Sequence, residues 1–519
     1  MTQSNTPAIG IDLGTTYSVV AKLDERGQPV TLVNSEGDRL TPSVVLIEGN
    51  DAVVGKEAVK AMGSEAGHVA ECAKRDMGHR AYHRAIDGKE YPPEVIQAWV
   101  LNKLRNDAVQ QIGPFEKVVI TVPAYFDEIR RKATQDAGYM AGYEVMDIIN
   151  EPTAAAVAFG FQQGFLNAAG SSHQESTRPR RVLVYDLGGG TFDVTVMEIR
   201  GSEFLALATD GDVALGGYDW DQRLVNIAAD AFLQAHGIDL REDAAAVGKL
   251  WRECEDAKRT LSARSKAPVL AEYQGRTHRV EISREHFEEA TQDLLDRTRF
   301  TCVQALRASG LEWGDLERVL LVGGSTRMPM VRAMLQQISG MAPDGSVAAD
   351  EAVAHGAALH AGLLLAKLEG RPASFSIRNV NSHSLGVVGV DPQTKRRRNG
   401  IVIPRNTPLP VSAVRQFTTA KQGQRSILAQ IVEGESAAAD DCTAIGRLTV
   451  ADLPPGLPAK SPVDVVFFYQ ADGRLKVRVR VPHSDRQTET EIVRENGLSK
   501  EHMDAWRQFI SGKTATEYR

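Results

Sequence analysis

Apolar and polar positions alternate in two different ways along this chain, and the change near residue 380 predicts two structural regions. Up to about residue 370, short apolar runs are separated by longer stretches with helical spacing. The strand candidates include AIGID, SVVAKL, KVVITVPAYF (117–126), RVLVYDL, DVTVMEI and RVLLVGG (318–324). The helical stretches include 94–111, 128–141, 219–236, 247–263, 284–309 and 350–368. This alternation predicts an α/β architecture with sheets covered by helices.

Beyond residue 380 the predicted strands follow one another without helices. They are SLGVVGV, GIVIP, RSILAQIVEG, GRLTVADL, VDVVFFYQ and RLKVRVRV. Apolar and cationic residues alternate along 475–481, and the Asp-Gly pair at 472–473 predicts a hairpin turn before them. We therefore expect a second, all-β region, followed by one short helix with Met503, Trp506 and Ile510 on one face.

Size, composition and charge restrict the class of protein. A chain of 519 residues is too long for one core, and 42% hydrophobic with 24% charged residues is typical of a soluble globular protein. The net charge of −7 argues against a nucleic-acid partner, and we interpret the basic run 395–398 as an exposed turn rather than a binding patch. The four scattered cysteines, the lack of a signal-peptide pattern and the lack of a membrane-spanning run favour a cytoplasmic protein without a membrane partner.

One design occurs twice: an apolar strand, Asp-Leu-Gly, hydroxyl residues and a second apolar strand. The copies are IGIDLGTTYSVV (9–20) and VLVYDLGGGTFDVTV (182–196). Glycine has no Cβ, so phosphate oxygens can reach the backbone N–H groups of such turns. A tight β-turn explains a lone Gly-Gly-Gly equally well, but it explains two copies of the whole design poorly. The repeat therefore predicts a site for a triphosphate.

The side chains of the two turns fit the same interpretation. Thr15, Thr16 and Thr191 add hydroxyl donors. Three aspartates, Asp12, Asp186 and Asp193, would repel an anionic ligand unless a hard cation lay between them, which predicts Mg²⁺ held partly through water. Two further glycine turns, ALGGYDWD (214–221) and LLVGGSTRMPMV (320–331), either receive a base or sugar or simply join a strand to a helix.

The motifs resemble those of the DnaK, or Hsp70, chaperone family. IGIDLGTTYSVV, EGDRLTPSVV, VTVPAYF, IINEPTAAAVAFG, VYDLGGGTFDVTVMEI, LGGYDWD, CEDAKRTLS and LVGGSTRMPMV occur in that family's order, and SLGV, NTPLP, QIVEGE and YQADGRL resemble its peptide-binding domain. The resemblance implies an actin-like, two-lobed ATPase domain (8–372), a linker (373–380), a β-sandwich substrate-binding domain (381–497) and a short helical tail (498–519) without the family's lid. It also implies ATP hydrolysis to ADP and phosphate and the binding of unfolded or extended polypeptides.

The resemblance also assigns residue roles. The implied nucleotide-binding residues are Asp12, Gly14, Thr15, Thr16, Gly188, Gly189, Gly190, Gly216, Gly217, Glu255, Lys258, Arg259, Ser262, Gly323, Gly324, Ser325 and Arg327. The implied catalytic residues are Lys74, Glu151, Asp186, Thr191 and Asp193, while Asp12 and Asp186 would organise Mg²⁺ largely through water. Pro123 and Arg131 match the pair that couples ATP binding to peptide release. From the residues alone, a solvated helix lysine is the favoured interpretation of Lys74, and the face of 255–262 could be a solvated, salt-bridged one.

The chain departs from the family pattern in three places. The linker reads Phe-Ser-Ile-Arg-Asn at 375–379 instead of a run of leucines ending in aspartate, which predicts weaker apolar docking. The stretch between Lys74 and VTVPAYF is short, which implies a trimmed subdomain; a J-domain partner is implied by the family, but docking of a nucleotide exchange factor stays open. Without a lid, bound peptide should dissociate fast.

Three other functions stay open from the sequence. A small-molecule kinase could share the ATPase fold, and so could an actin-like filament former. A nucleotide-sensing scaffold would bind ATP tightly, and its hydrolysis would ignore unfolded peptide. The altered linker makes the scaffold the more serious alternative.

Overall fold

The computed structural model describes residues 7–49, 51–166, 179–391, 393–470, 474–482, 486–491 and 497–512. Its helices are α1 Lys56–Ala61, α2 Pro93–Ile112, α3 Glu128–Met140, α4 Glu151–Gln162, α5 Gly217–His236, α6 Ala244–Ala263, α7 Arg284–Ala290, α8 Gln292–Ala308, α9 Pro329–Ser339, α10 Ala352–Leu368 and α11 Lys500–Ile510. The predicted turn at 472–473 and the end of the predicted tail, 513–519, lie outside the described residues. No helix in the described ranges is long and apolar enough to cross a membrane.

The strands fall into an N-terminal group and a C-terminal group. The first group is β1 Ile9–Asp12, β2 Tyr17–Leu23, β3 Pro29–Leu32, β4 Thr41–Pro42, β5 Val45–Glu48, β6 Asp51–Val54, β7 Val69–Ala70, β8 Lys117–Val122, β9 Glu144–Asn150, β10 Arg180–Leu187, β11 Phe192–Arg200, β12 Glu203–Asp212, β13 Lys266–Tyr273, β14 Arg276–Ser283, β15 Arg318–Val322 and β16 Ser376–Arg378. The second is β17 Leu385–Val390, β18 Arg397–Ile403, β19 Val411–Thr418, β20 Ile427–Glu433, β21 Thr443–Val450, β22 Pro462–Tyr469, β23 Leu475–Val481 and β24 Arg486–Glu491.

The two central sheets of the N-terminal region are built alike. One has the order β3-β2-β1-β8-β9 and the other β15-β10-β11-β12-β16. In the first, β1 pairs antiparallel with β2 and parallel with β8; in the second, β10 pairs antiparallel with β11 and parallel with β15. The repeated Asp-Leu-Gly turns therefore join strands that occupy equivalent positions in two similar sheets.

Two helices cross where the two sheets come together. Helix α4 contacts strands of both sheets, and α10 packs mainly on the first sheet and on α4. Their crossing is close because Gly356 lies against the backbone of Ala154: a Cβ at Gly356 would come within 1.8 Å of the Ala154 carbonyl oxygen. The small residues of both helices thus fix how closely the two halves approach.

The C-terminal strands form two four-stranded sheets, with orders β18-β17-β20-β21 and β19-β22-β23-β24. Their inner faces share one hydrophobic core. The alternation predicted for 475–481 is confirmed, because its apolar side chains are buried while Lys476 and Arg478 are partly exposed and Arg480 is exposed. The fold is therefore a mixed α/β region followed by a β-sandwich, as the sequence predicts.

The β-sandwich lies against the N-terminal region. Strand β16, in the linker, pairs in parallel with β12, and the Phe375 side chain before it is buried. Ser382 Oγ donates a hydrogen bond to the Ala124 carbonyl. Despite its departure from a leucine-rich pattern, the linker is thus docked as an edge strand.

Helix α11 packs back on the N-terminal region at α2 and α3. Its Trp506 ring lies 6.1 Å from that of Trp99, and Asn102 Nδ2 donates to the Ile510 carbonyl at 2.9 Å. The predicted apolar face of this helix, with Met503, Trp506 and Ile510, is the face that is packed.

Two predicted elements end differently in the structure. The helix expected over 284–309 is split at Thr291, whose hydroxyl donates to the Phe287 carbonyl at 2.8 Å and whose backbone leaves the helical conformation. The strand expected over 117–126 ends at Val122, because Pro123 has no N–H to donate to a neighbouring strand.

Candidate active site

A cavity of about 1000 Å³ lies between the two halves of the N-terminal region. Both Asp-Leu-Gly turns line it. Of the residues that the resemblance assigns to nucleotide binding and catalysis, all line this cavity except Gly190, Asp193, Gly216 and Gly217. Of these four, Gly217 still contacts a turn that lines the cavity, since its N–H donates to the Gly188 carbonyl at 3.0 Å.

The two glycine turns face each other at contact distance. A Cβ at Gly189 would lie 1.9 Å from Thr16 Oγ1, and one at Gly190 would lie 2.4 Å from Thr15 Cγ2. Behind them, a Cβ at Gly216 would lie 2.4 Å from the Gly190 nitrogen. The glycines are therefore required by the approach of the turns to one another as well as by any ligand.

Four carboxyl groups and one lysine converge beside these turns. Glu151, Asp186, Asp193 and Lys74 are buried, and Asp12 is half-buried at the cavity wall. Lys74 Nζ lies 2.5 Å from Glu151 Oε1. These side chains come from separate elements, since Glu151 begins α4, Asp12 ends β1 and the other two aspartates belong to β10 and β11.

One lysine does not offset so much negative charge. Burial raises the pKa of Asp12 to about 7 and that of Asp193 to about 8, and it raises the pKa of Asp186 well above its usual range. The nearby charge of Glu151 contributes to the rise of all three pKa values, whereas Lys74 opposes it. A cation bound between these groups would let them ionise.

The donor set fits a hard divalent cation. Carboxylate oxygens are the ligands such ions prefer, and Mg²⁺ commonly keeps several water molecules. Within the described ranges, no three His, Cys, Asp or Glu side chains are close enough together to hold a metal directly. The residues present therefore suit an ion held by one or two carboxylates, by water and by its ligand's phosphates.

The opposite wall of the cavity comes from α6 and the glycine turn after β15. Lys258 Nζ donates to Asp221 Oδ2 at 2.6 Å, and Ser325 Oγ donates to the Gly188 carbonyl at 2.9 Å. Arg259 pairs with Glu255 within the same helix. The face of α6 is thus both salt-bridged and part of the cavity, so the two interpretations of this face are compatible.

Sequence reasoning missed two tyrosines that line the same cavity. Tyr17, directly after Thr16, accepts a hydrogen bond from Arg259 at 2.9 Å and so links the two halves across the cavity. Tyr218, directly after Gly217, stacks on Trp251 with ring centroids 4.3 Å apart. Their positions next to glycine-turn residues were the available signal.

The segment around Pro123 connects the carboxylate cluster to the β-sandwich. The Tyr125 N–H donates to Asp193 Oδ1 at 2.9 Å, and the Tyr125 carbonyl lies 3.0 Å from His383 Nε2. Arg131 donates to the side chain of Asn150, the residue before Glu151. Pro123 and Arg131 therefore lie between the cavity and the sandwich.

The comparisons with known proteins agree with this architecture. The family model described as Hsp70 protein matches residues 8–87 and 81–516. Chaperone protein DnaK of Halobacterium salinarum is 38% identical over 504 residues, which cover 96% of this chain and 76% of the relative. Chaperone protein DnaK of Thermotoga maritima is 37% identical over 504 residues, covering 95% and 82%. With a two-sheet α/β region around a glycine-lined cavity, a docked β-sandwich and these matches, the chain belongs to the Hsp70 family.

Proposed function

We propose that this protein is an ATP-dependent molecular chaperone that hydrolyses Mg-ATP and binds unfolded or extended polypeptides, assisting their folding. The observation that carries the proposal is the cluster of one lysine and four carboxyl groups between two facing glycine turns. Relatives of similar sequence are named as DnaK chaperones. We assign the ATPase domain to 8–372, the linker to 373–380, the substrate-binding domain to 381–497 and the helical tail to 498–519.

Phosphoryl transfer to water needs positioning and charge neutralisation more than covalent chemistry. We assign Lys74 to the transferred phosphate, where its ammonium offsets the charge that develops in the transition state. Glu151 and Asp193 would orient the attacking water, and the Thr191 hydroxyl would contact the transferred group. Asp12 and Asp186 would hold the hydrated Mg²⁺, which supplies further charge neutralisation.

The remaining nucleotide contacts follow from the two walls of the cavity. The turn at 14–16 and the turn at 188–190 present backbone N–H groups for phosphate oxygens. Gly216 and Gly217 would support the second turn from behind. The adenosine would be contacted on one side by four residues of α6, namely Glu255, Lys258, Arg259 and Ser262. The turn at 323–327 would contact it from the other side.

We propose that Tyr125 carries the coupling between ATP and peptide. Its N–H contacts the Asp193 carboxylate, and its carbonyl contacts His383 of the β-sandwich. A change in the charge or position of Asp193 on ATP binding would therefore shift a residue that touches the substrate-binding domain. Pro123 and Arg131 would transmit the same change through the segment that both belong to.

A J-domain co-chaperone, a nucleotide exchange factor and a cytoplasmic location also belong to the proposal. They rest on family membership alone. The short segment between Lys74 and Lys117 offers less surface for an exchange factor, so of the two partners the J-domain co-chaperone is the better supported.

The experiment that tests the function follows release of a fluorescent extended peptide. We expect Mg-ATP to speed peptide dissociation at least about tenfold. The reason is that the arrangement in which the β-sandwich is docked on the ATPase domain competes with the arrangement that holds peptide. ATP added with excess EDTA should leave the rate unchanged. Release that ignores Mg-ATP, together with normal hydrolysis, would favour the uncoupled scaffold.

The interface between the two domains predicts a pH dependence of docking. Glu433, buried on β20, accepts a hydrogen bond from the Glu128 N–H at 3.2 Å. Its pKa is raised to about 8, chiefly by burial and also by the charges of Asp127 and Glu128, while His383 acts in the opposite direction. An acid whose pKa is higher in the docked state takes up a proton on docking. Docking is therefore strongest at low pH and weakens as pH rises towards 8.

We expect the docking equilibrium to fall by up to about tenfold per pH unit between pH 6 and pH 8. The Glu433→Gln variant, which keeps a neutral side chain, should flatten this dependence. Trypsin cleavage after Arg378 in the ATP state, compared between variant and wild type at each pH, reports the undocked fraction. Glu435→Gln is the matched control, since His383 and the Ser384 N–H hold the pKa of Glu435 below its ordinary value. Equal slopes for Glu433→Gln and wild type would contradict the prediction.

A further inference from the structure

One end of the β-sandwich combines exposed apolar side chains with the ends of several strands. Strand β17 runs antiparallel to both β18 and β20, so its last residue, Val390, lies at the same end as the first residues of those two strands. Val390 is 64% exposed, and Leu428, second in β20, is 60% exposed. Two large apolar side chains thus stay in solvent at one end of the sheet.

The loops at this same end carry cations. Of the basic run 395–398, interpreted from the sequence as an exposed turn, Lys395 and Arg396 lie in the turn from β17 to β18 and the other two residues begin β18. The connection from β19 to β20 contains Lys421 and Arg425. The four loop cations are exposed, and none of them forms an ion pair with any carboxylate of the described residues. We call Val390, Leu428 and these four cations the cationic end.

The neighbouring acids do not cancel this charge. Asp391 Oδ2 pairs with Arg398 at 3.1 Å, and its other oxygen accepts the backbone N–H groups of the following turn. Asp440 pairs with Arg397 at 2.7 Å. Asp452 also adjoins this end, next to the Leu453 N–H that bonds to the Arg425 carbonyl. The chain as a whole is acidic, with a net charge of −7, so this local excess of cations departs from its average.

We propose that the cationic end selects extended polypeptide segments whose apolar residues are flanked by aspartate or glutamate. The inference rests on the proposed peptide-binding function and specifies the class of substrate. Val390 and Leu428 supply apolar contact, which does not depend on the charge of the peptide. The loop cations favour acidic flanks and repel basic ones. Charges at the edge of a binding site act mainly on the choice of partner and on the association rate, and they leave the apolar contacts themselves unchanged.

The test uses three fluorescent peptides with the same central run of leucine and valine and with flanks of glutamate, serine or lysine. Fluorescence anisotropy gives the Kd of each for the full-length protein in ADP. At low salt we expect the glutamate-flanked peptide to bind about tenfold more tightly than the lysine-flanked one, with serine between them. In 0.5 M NaCl, which shortens the screening length to a few Å, we expect this ratio to shrink to about twofold.

A charge-reversal pair assigns the preference to these loops. K421E/R425E should reverse or abolish the preference for acidic flanks while the serine-flanked peptide still binds, which also shows that the domain is folded. The matched control, R26E/K89E, changes the net charge by the same amount at exposed positions of the ATPase domain and should keep the wild-type order of affinities.

The possible outcomes distinguish failure of the preference for acidic flanks from failure of the proposed peptide binding. Equal affinity for the three peptides, tighter binding of the lysine-flanked peptide or an unchanged order in K421E/R425E would overturn the preference while leaving peptide binding in place. A single-stranded oligonucleotide that displaced the glutamate-flanked peptide at lower concentration than the unlabelled peptide itself would also overturn it. Failure of all three peptides to bind would overturn the proposed function, and the preference with it.

Discussion

Replacing Lys74 with alanine is expected to slow single-turnover ATP hydrolysis at least about a hundredfold, because a charged donor aimed at the transition state contributes several kcal/mol. Lys74 is the cation of the cluster, 3% exposed and 2.5 Å from Glu151. Its alanine variant keeps both glycine turns and both proposed Mg²⁺ carboxylates. ATP affinity should therefore stay within about threefold of wild type, since the loss falls on the transition state and not on the ground state.

The matched control for this prediction is Lys89→Ala, which removes an exposed lysine that does not line the cavity. Rapid-quench hydrolysis at saturating ATP measures the chemical step for both variants. Removing one partner of a buried ion pair can also destabilise a protein, so the apparent Tm of each variant with Mg-ATP is measured alongside. Hydrolysis by Lys74→Ala within threefold of wild type would rule out the proposed role.

Replacing Gly356 with valine is expected to destabilise the ATPase domain by at least about 3 kcal/mol, which is large for a single substitution. A Cβ at this position would lie 1.8 Å from the carbonyl oxygen of Ala154, a backbone atom that cannot turn aside. Helices α4 and α10 would have to separate. Because Glu151 begins α4, the same displacement would move the carboxylate cluster and lower the hydrolysis rate as well.

Differential scanning fluorimetry measures this effect as a fall in apparent Tm of about 4 °C or more. Gly314→Val is the control, because a Cβ there meets no atom within 4 Å and the backbone does not have the positive φ that favours glycine. A Gly356→Val protein with the wild-type Tm would show that the two helices do not approach as closely as described.

The sequence predicted the parts of the site that depend on local chemistry. The repeated Asp-Leu-Gly turns were recognisable because glycine, aspartate and threonine at fixed spacing serve few purposes other than holding phosphate. The strands leading into them were equally clear, since a buried strand of a parallel or mixed sheet is apolar throughout. What the turns alone could not reveal is that Gly189 and Gly190 pack against Thr16 and Thr15 of the other turn.

Other elements were hidden because their signals are weak or long-range. Helix α4 is apolar on all sides, as a fully buried helix must be, so it shows no amphipathic period. In strand β19, VSAVRQFT, the apolar residues do not alternate regularly, because Val414 is apolar but lies exposed, at 63%. The contact of Lys74 with Glu151 joins residues 77 positions apart, and no local pattern predicts it.

The linker shows how tertiary context changes the expectation from local sequence. Its single large apolar pair, Phe375 and Ile377, suggested weak docking. In the structure the backbone of Ser376–Arg378 adds a strand to the sheet at β12, and backbone hydrogen bonds do not require leucine side chains. Phe375 then needs only one pocket, beside Phe204, with ring centroids 6.1 Å apart.

The central claim is that ATP hydrolysis in the cavity responds to peptide bound at the β-sandwich. The most direct measurement is single-turnover ATP hydrolysis with and without a saturating extended apolar peptide, for wild type and Lys74→Ala. We predict that peptide accelerates hydrolysis in the wild type and that Lys74→Ala is slow under both conditions. Wild-type hydrolysis that is unchanged by a peptide shown to bind would contradict the account.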